Sequence, residues 1–166
     1  GNLGTDTIGI LDSSGNNLDG NVIGSTELTD DRFGQTNSAY DFDYANASFG
    51  QQNDEIYIPY DNILNIDNIT VSVWVYPRQY YWSGNSSQHS MILGRFQYGY
   101  SNPNGQAWTL RLFENDIRAY INSSDGSAGS YAGSSNPLPL NTWSHIVMTY
   151  NKQEIKIYVD GALEGT

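Results

Sequence analysis

The chain contains no cysteine, which removes disulfides, thiolate metal sites and cysteine nucleophiles from consideration. Cations are scarce as well. Seven Lys and Arg stand against 18 Asp and Glu, a formal net charge of −11. That sign repels phosphate backbones, which excludes nucleic acid as a partner, and it argues against adsorption to an anionic membrane. No apolar run approaches the roughly 20 residues that a helix needs to cross a bilayer, so membrane insertion is not expected. A sustained 3.6-residue period is missing too, and with it the signature of an amphipathic helix.

What the chain has in quantity is aromatic and turn-forming residues: 13 Tyr, 4 Trp and 5 Phe beside 17 Gly. Aromatics suit half-buried pleated surfaces, and Gly, Asn and Asp suit the turns between them. At 166 residues the chain is long enough for one domain with a real core. Residues 69–76 read Ile-Thr-Val-Ser-Val-Trp-Val-Tyr, a period of two with one aliphatic face, stopped by Pro77. Shorter strands are expected at 40–43, 55–59, 90–97, 107–114, 117–122, 143–150 and 154–159, with another opening at Ala162. Asn115-Asp116 and Asp160-Gly161 supply tight hairpin turns. Three polar stretches, 12–19, 78–88 and 123–136, read as long loops, where function concentrates. Many short strands joined by turn chemistry imply a sandwich or a barrel.

Several segments, in order, resemble the laminin G-like, concanavalin A-like lectin/glucanase jelly-roll family. They are Asp12 to Asn17 with Asp19-Gly20, Asp31 to Gly34 with Ser38 to Phe42, and Asp54 to Pro59. Ile69 to Pro77, Asn141 to Tyr150 and Ile155 to Gly161 complete the pattern. The resemblance implies an all-β fold: an antiparallel two-sheet jelly-roll sandwich over residues 1–166, taken as one domain. The family's first and last strands have no counterpart here. The chain is therefore expected to be a fragment of a larger extracellular or cell-surface protein. A partner strand from another segment or chain is the alternative way to complete the sandwich.

Three chemistries are considered. The acidic loop Asp12, Asn16, Asn17 and Asp19 offers closely spaced oxygens of the kind calcium takes, and the resemblance implies calcium in many members. The same residues serve equally as Asx caps of turns. Tyr80, Tyr81 and Trp82 in one loop, with Tyr98 and Tyr100 in another, could stack on sugar rings beside hydroxyl-binding Asn and Gln. Trp74, Trp108 and Trp143 lie in strands and read as core. Glycoside hydrolysis would need two carboxylates about 5 Å apart in a retaining enzyme. The nearest strand sequence, Glu114 to Ala119, lacks that pattern, so no enzyme activity is expected. The expected function is a carbohydrate-binding or adhesive module whose partner is a glycan or a surface protein. A structural spacer or protein-interaction domain is the alternative.

Overall fold

The computed structural model describes residues 10–42, 54–64, 68–80, 90–95, 107–122 and 130–166. These contain twelve β-strands and a single 3₁₀ turn at Asn62–Leu64, all strand pairs being antiparallel. They fall into two compact units, Gly1–Leu64 and Asn65–Thr166.

In the second unit two four-stranded sheets face one another. The first runs β12 (Ala162–Gly165), β11 (Ile155–Val159), β10 (Ser144–Tyr150), β5 (Ile69–Val75). The second runs β6 (Ser90–Arg95), β7 (Ala107–Phe113), β8 (Asp116–Asn122), β9 (Ser130–Gly133). Alternation along each strand decides which side chains are buried. Val71, Ile146, Met148, Ile155 and Ile157 of the first sheet join Leu110, Leu112, Ile117, Ala119, Ile121 and Ala132 of the second in one core, with Leu138 from the segment after β9. Burying Leu or Ile side chains of this kind contributes about 1.5–3 kcal/mol each.

The turns follow their sequence chemistry. Asp160 and Gly161 both have positive φ, 50° and 84°, the backbone that a two-residue primed hairpin turn requires. Asn151 caps the preceding hairpin through Oδ1, which accepts from the backbone N–H groups of Gln153 and Glu154 at 3.1 and 2.9 Å. The hairpin between β7 and β8 turns at Glu114-Asn115, one residue earlier than its sequence suggests, with Glu114 at φ 54° and Asp116 already in the strand.

A strand was not legible within 123–136. Ser130–Gly133 pairs with β8, Tyr131 opposite Tyr120 and Ala132 opposite Ala119. Its Ser and Gly content disguises it, but the small residues are required there. A Cβ on Gly165 of β12 would lie 2.2 Å from the Gly133 carbonyl oxygen, so the edges of the two sheets meet backbone to backbone. The junction is tied by Ser135, whose N–H and hydroxyl both donate to the Glu164 carbonyl, at 3.0 and 2.9 Å. Asn136 Nδ2 adds a bond to Glu164 Oε2 at 2.7 Å.

The first unit is built from two strand pairs, β1 (Asn21–Ile23) with β4 (Glu55–Tyr57) and β2 (Glu27–Thr29) with β3 (Ala39–Asp41). Reciprocal backbone bonds between Ile10 and Gly20, 2.9 and 2.8 Å, close the loop between them.

Two substitutions probe the sandwich. Gly165→Ala should destabilise it by at least the 1–3 kcal/mol typical of overpacking, because backbone rather than a flexible side chain stands in the way. Ser144 is fully buried and its hydroxyl has no hydrogen-bond partner among the described residues, so Ser144→Ala should be neutral or stabilise by about 1 kcal/mol. Urea unfolding of the two variants measures both.

Candidate functional site

The outward face of the first sheet carries the side chains that the core period leaves over. On β5 these are Thr70, Ser72 and Trp74, with Tyr76 just beyond the strand; on β10 they are His145, Val147 and Thr149. Trp74 was expected in the core, and the structure corrects this. Val71, Val73 and Val75 already occupy the inward positions, so Trp74 must point out, where it is 39% exposed. Trp108, by contrast, packs against the core.

Trp74 and His145 are cross-strand partners, and their rings stack with centroids 4.9 Å apart and an interplanar angle of 21°. The imidazole is itself fixed. His145 Nε2 shares a 2.8 Å hydrogen bond with Ser72 Oγ. The His145 backbone N–H donates to Asp160 Oδ1 at 2.8 Å, and its carbonyl accepts from the Asp160 N–H at 2.8 Å. Tyr76 lies against Trp143, centroids 5.5 Å apart and tilted by 58°. The indole therefore stands on an immobilised ring, with a second aromatic pair just beyond the end of β5.

Farther along this face is a shallow depression of about 380 Å³ lined by Thr70, Thr149, Tyr150, Glu154, Lys156 and Tyr158 among others. Thr149 sits between Thr70 and Lys156 in the strand register. Lys156 Nζ is 2.6 Å from Glu154 Oε1, and that hydrogen bond holds its ammonium above the ordinary lysine range. Aromatic faces at one end with hydroxyls and an ion pair at the other suit a ligand that is apolar on its ring faces and polar at its rim. Sequence reasoning missed this face because Trp74 was assigned to the core for lying in a strand, without regard to which side of the strand it takes. The alternation Thr-Ser-Trp-Tyr opposite Ile-Val-Val-Val was the signal that could have found it.

Of the loop aromatics expected to bind sugar, Tyr81, Trp82, Tyr98 and Tyr100 lie outside the described residues. Tyr80 packs against the core, and its hydroxyl donates to the Leu138 carbonyl. Its ring and its polar tip are both used in holding the chain that leaves β5.

The Asp12 loop is a self-contained hydrogen-bond network. Asp12 Oδ1 accepts from the Ser14 N–H at 2.8 Å. Asp12 Oδ2 accepts from Ser14 Oγ at 2.8 Å and from the Leu18 N–H at 3.0 Å. Asp19 Oδ1 accepts from the Asp12 N–H at 2.7 Å, and Asn16 Nδ2 donates to Ser14 Oγ at 2.9 Å. Asn17 provides a positive φ of 58° for the turn. Calcium needs six to eight oxygens, whereas both oxygens of Asp12 and one of Asp19 already serve the loop's own donors. No group of three or more His, Cys, Asp or Glu gathers for a metal among the described residues. As arranged, the loop fits an Asx-capped turn.

The family model of the concanavalin A-like lectin/glucanases superfamily matches residues 49–166. The chain belongs to that superfamily. No curated protein and no solved structure matches it. The match takes in both sheets of the second unit and begins after the Asp12 loop. Laminin G-like members of the superfamily are generally non-catalytic, lectin-like modules, so membership points to a carbohydrate-binding or adhesive module.

The Asp12 network sets a pH expectation. The Ser14 hydroxyl, then the Leu18 and Ser14 backbone N–H groups, lower the Asp12 carboxyl from 3.8 to about 2. A depressed carboxylate supports the folded loop fully above the unfolded value, and that support is lost as pH falls toward 2. Carboxyl-carbon NMR should show Asp12 titrating near 2, and Ser14→Ala should move the midpoint upward. Millimolar calcium should leave both this midpoint and the melting temperature unchanged; an EDTA-reversible rise in melting would show that the loop reorganises around the ion.

Proposed function

We propose that the chain is a non-catalytic carbohydrate-binding or adhesive module of a secreted or cell-surface protein, which takes sugar rings on the outward face of the first sheet. The observation that carries this reading is Trp74: a large ring left exposed on a sheet, stacked on His145 and flanked by Ser72. An indole already fixed by stacking can meet the C–H face of a pyranose at little ordering cost. Ser72, Thr70 and Thr149 line the same face and match sugar hydroxyls. Membership of the lectin/glucanases superfamily supports the same class of ligand.

Trp82 and Tyr81 belong to this reading as loop residues that follow β5 in the sequence. Calcium has no part in it, since the reading rests on ring stacking and hydroxyl contacts.

A neutral-glycan array tests the proposal. The full chain should bind a defined subset of glycans, and Trp74→Ala should weaken that binding at least tenfold, about 1.4 kcal/mol, with melting little changed because the ring lies outside the core. His145→Ala should weaken it less, by freeing Trp74 to rotate. Trp82→Ala, assayed alongside, decides whether the loop contributes. An array without hits, or hits unaffected by Trp74→Ala, would favour a structural spacer or protein-interaction domain.

A further inference from the structure

The outward face of the second sheet differs in kind. Arg111 on β7 and Arg118 on β8 are directly opposite in the strand register. Like charges in that position are destabilising unless something offsets them. Arg118 has its offset: its Nε and Nη2 donate to Asp116 Oδ2, both at 3.2 Å. Arg111 has no carboxylate among the described residues, and its Nε is buried without a hydrogen-bond partner. Rings support it instead. Its guanidinium carbon lies 4.0 Å from the centroid of Tyr120 and 5.7 Å from that of Phe113. Arg118 is likewise 3.7 Å from Phe113. Tyr120 in turn touches Tyr131, centroids 4.9 Å apart, and Tyr131 is 49% exposed.

Among the described residues this face thus sets Arg111 and Arg118 against the Asp116 carboxylate, in a protein whose net charge is −11. A guanidinium stacked through its flat face keeps its in-plane N–H edge for an acceptor, and the fork geometry matches a carboxylate. The exposed Tyr131 ring alongside provides a stacking surface of the kind a sugar uses.

We infer that this face binds a carboxylate-bearing sugar, with Arg111 as the anion anchor and Tyr131 as the ring platform. The inference goes beyond the Trp74 reading, since it concerns the other sheet and a charged ligand. A negatively charged protein repels acidic polymers at long range, so recognition here depends on the local cation and should weaken steeply once that cation is removed.

Titration calorimetry of the full chain with a panel of oligo-uronates (galacturonate, glucuronate and mannuronate) tests it, with their carboxyl-reduced, neutral counterparts as controls. At least one uronate should bind, and its reduced counterpart should bind at least tenfold more weakly. Arg111→Gln should lower uronate affinity at least tenfold, and Arg111→Lys should recover only part of the loss because it restores charge without the fork. Lys152→Gln, which removes one charge from a turn elsewhere, should change nothing. If Arg111→Gln does not fold, Tyr131→Ala replaces it, and that exposed ring must cost affinity. Absence of binding to every uronate, equal binding of the reduced sugars, or indifference to Arg111→Gln and Tyr131→Ala would overturn the inference. So would stronger binding of dextran sulfate or of a polyglutamate peptide. Neutral-glycan binding on the array is a separate readout, so failure of one reading does not carry the other with it.

Discussion

The structure depends on the burial of one side of each sheet against the other. Once Ile146, Met148 and Ile157 share a core with Leu110, Ile117 and Ala119, the two-residue period of a strand leaves no choice about its remaining side chains. Trp74 is outside because Val73 and Val75 are inside; Arg111 is outside because Leu110 and Leu112 are inside. A slip of one residue would bring the Lys156 ammonium of the first sheet, or the Arg111 and Arg118 guanidiniums of the second, into an apolar layer, at a cost far above that of any single contact. The candidate ligand faces are thus consequences of the core and are held as rigidly as it is.

This constraint also explains what could be read from the residues alone. The strand at Ile69, the turn at Asp160-Gly161 and the paired closing strands carry their signals locally, through alternation and turn chemistry. Ser130–Gly133 carries none, because its reason for being a strand is distant: Ala132 fills the space beside Ala119, and the missing Cβ of Gly165 leaves room for the Gly133 carbonyl. The Asp12 loop was legible as a cluster of oxygens but not as a choice between cation and turn. That choice lies in where the donors of Ser14 and Leu18 point. The outward faces were least legible of all. Assigning Trp74 to the core for lying in a strand outweighed the alternation around it, and the opposition of Arg111 to Arg118 exists only in the register of two strands.

The two outward faces divide the chemistry between them. On the first sheet the Trp74 and His145 rings stack on each other, Lys156 is paired with Glu154, and Asp160 accepts from the His145 backbone. On the second sheet the rings support cations, and of Arg111 and Arg118 it is Arg118 that is paired with a carboxylate among the described residues. The two faces are thus chemically unlike although they share one core.

The sheet edges bear on whether the sandwich takes a strand from elsewhere. At one side β12 and β9 are locked together by the contact of Gly165 with Gly133 and by the bonds from Ser135 and Asn136 to Glu164. At the other, β5 and β6 end their sheets among the described residues. β6 is interrupted by a register shift between Met91 and Leu93, the kind of bulge that resists further pairing. β5 is regular over seven residues and stops at Pro77, which lacks a backbone donor. Of these two edges among the described residues, β5 is the one that offers an added strand a continuous ladder. The same strand presents Trp74, so a strand docked there and a sugar on the indole would meet on one surface and compete for it.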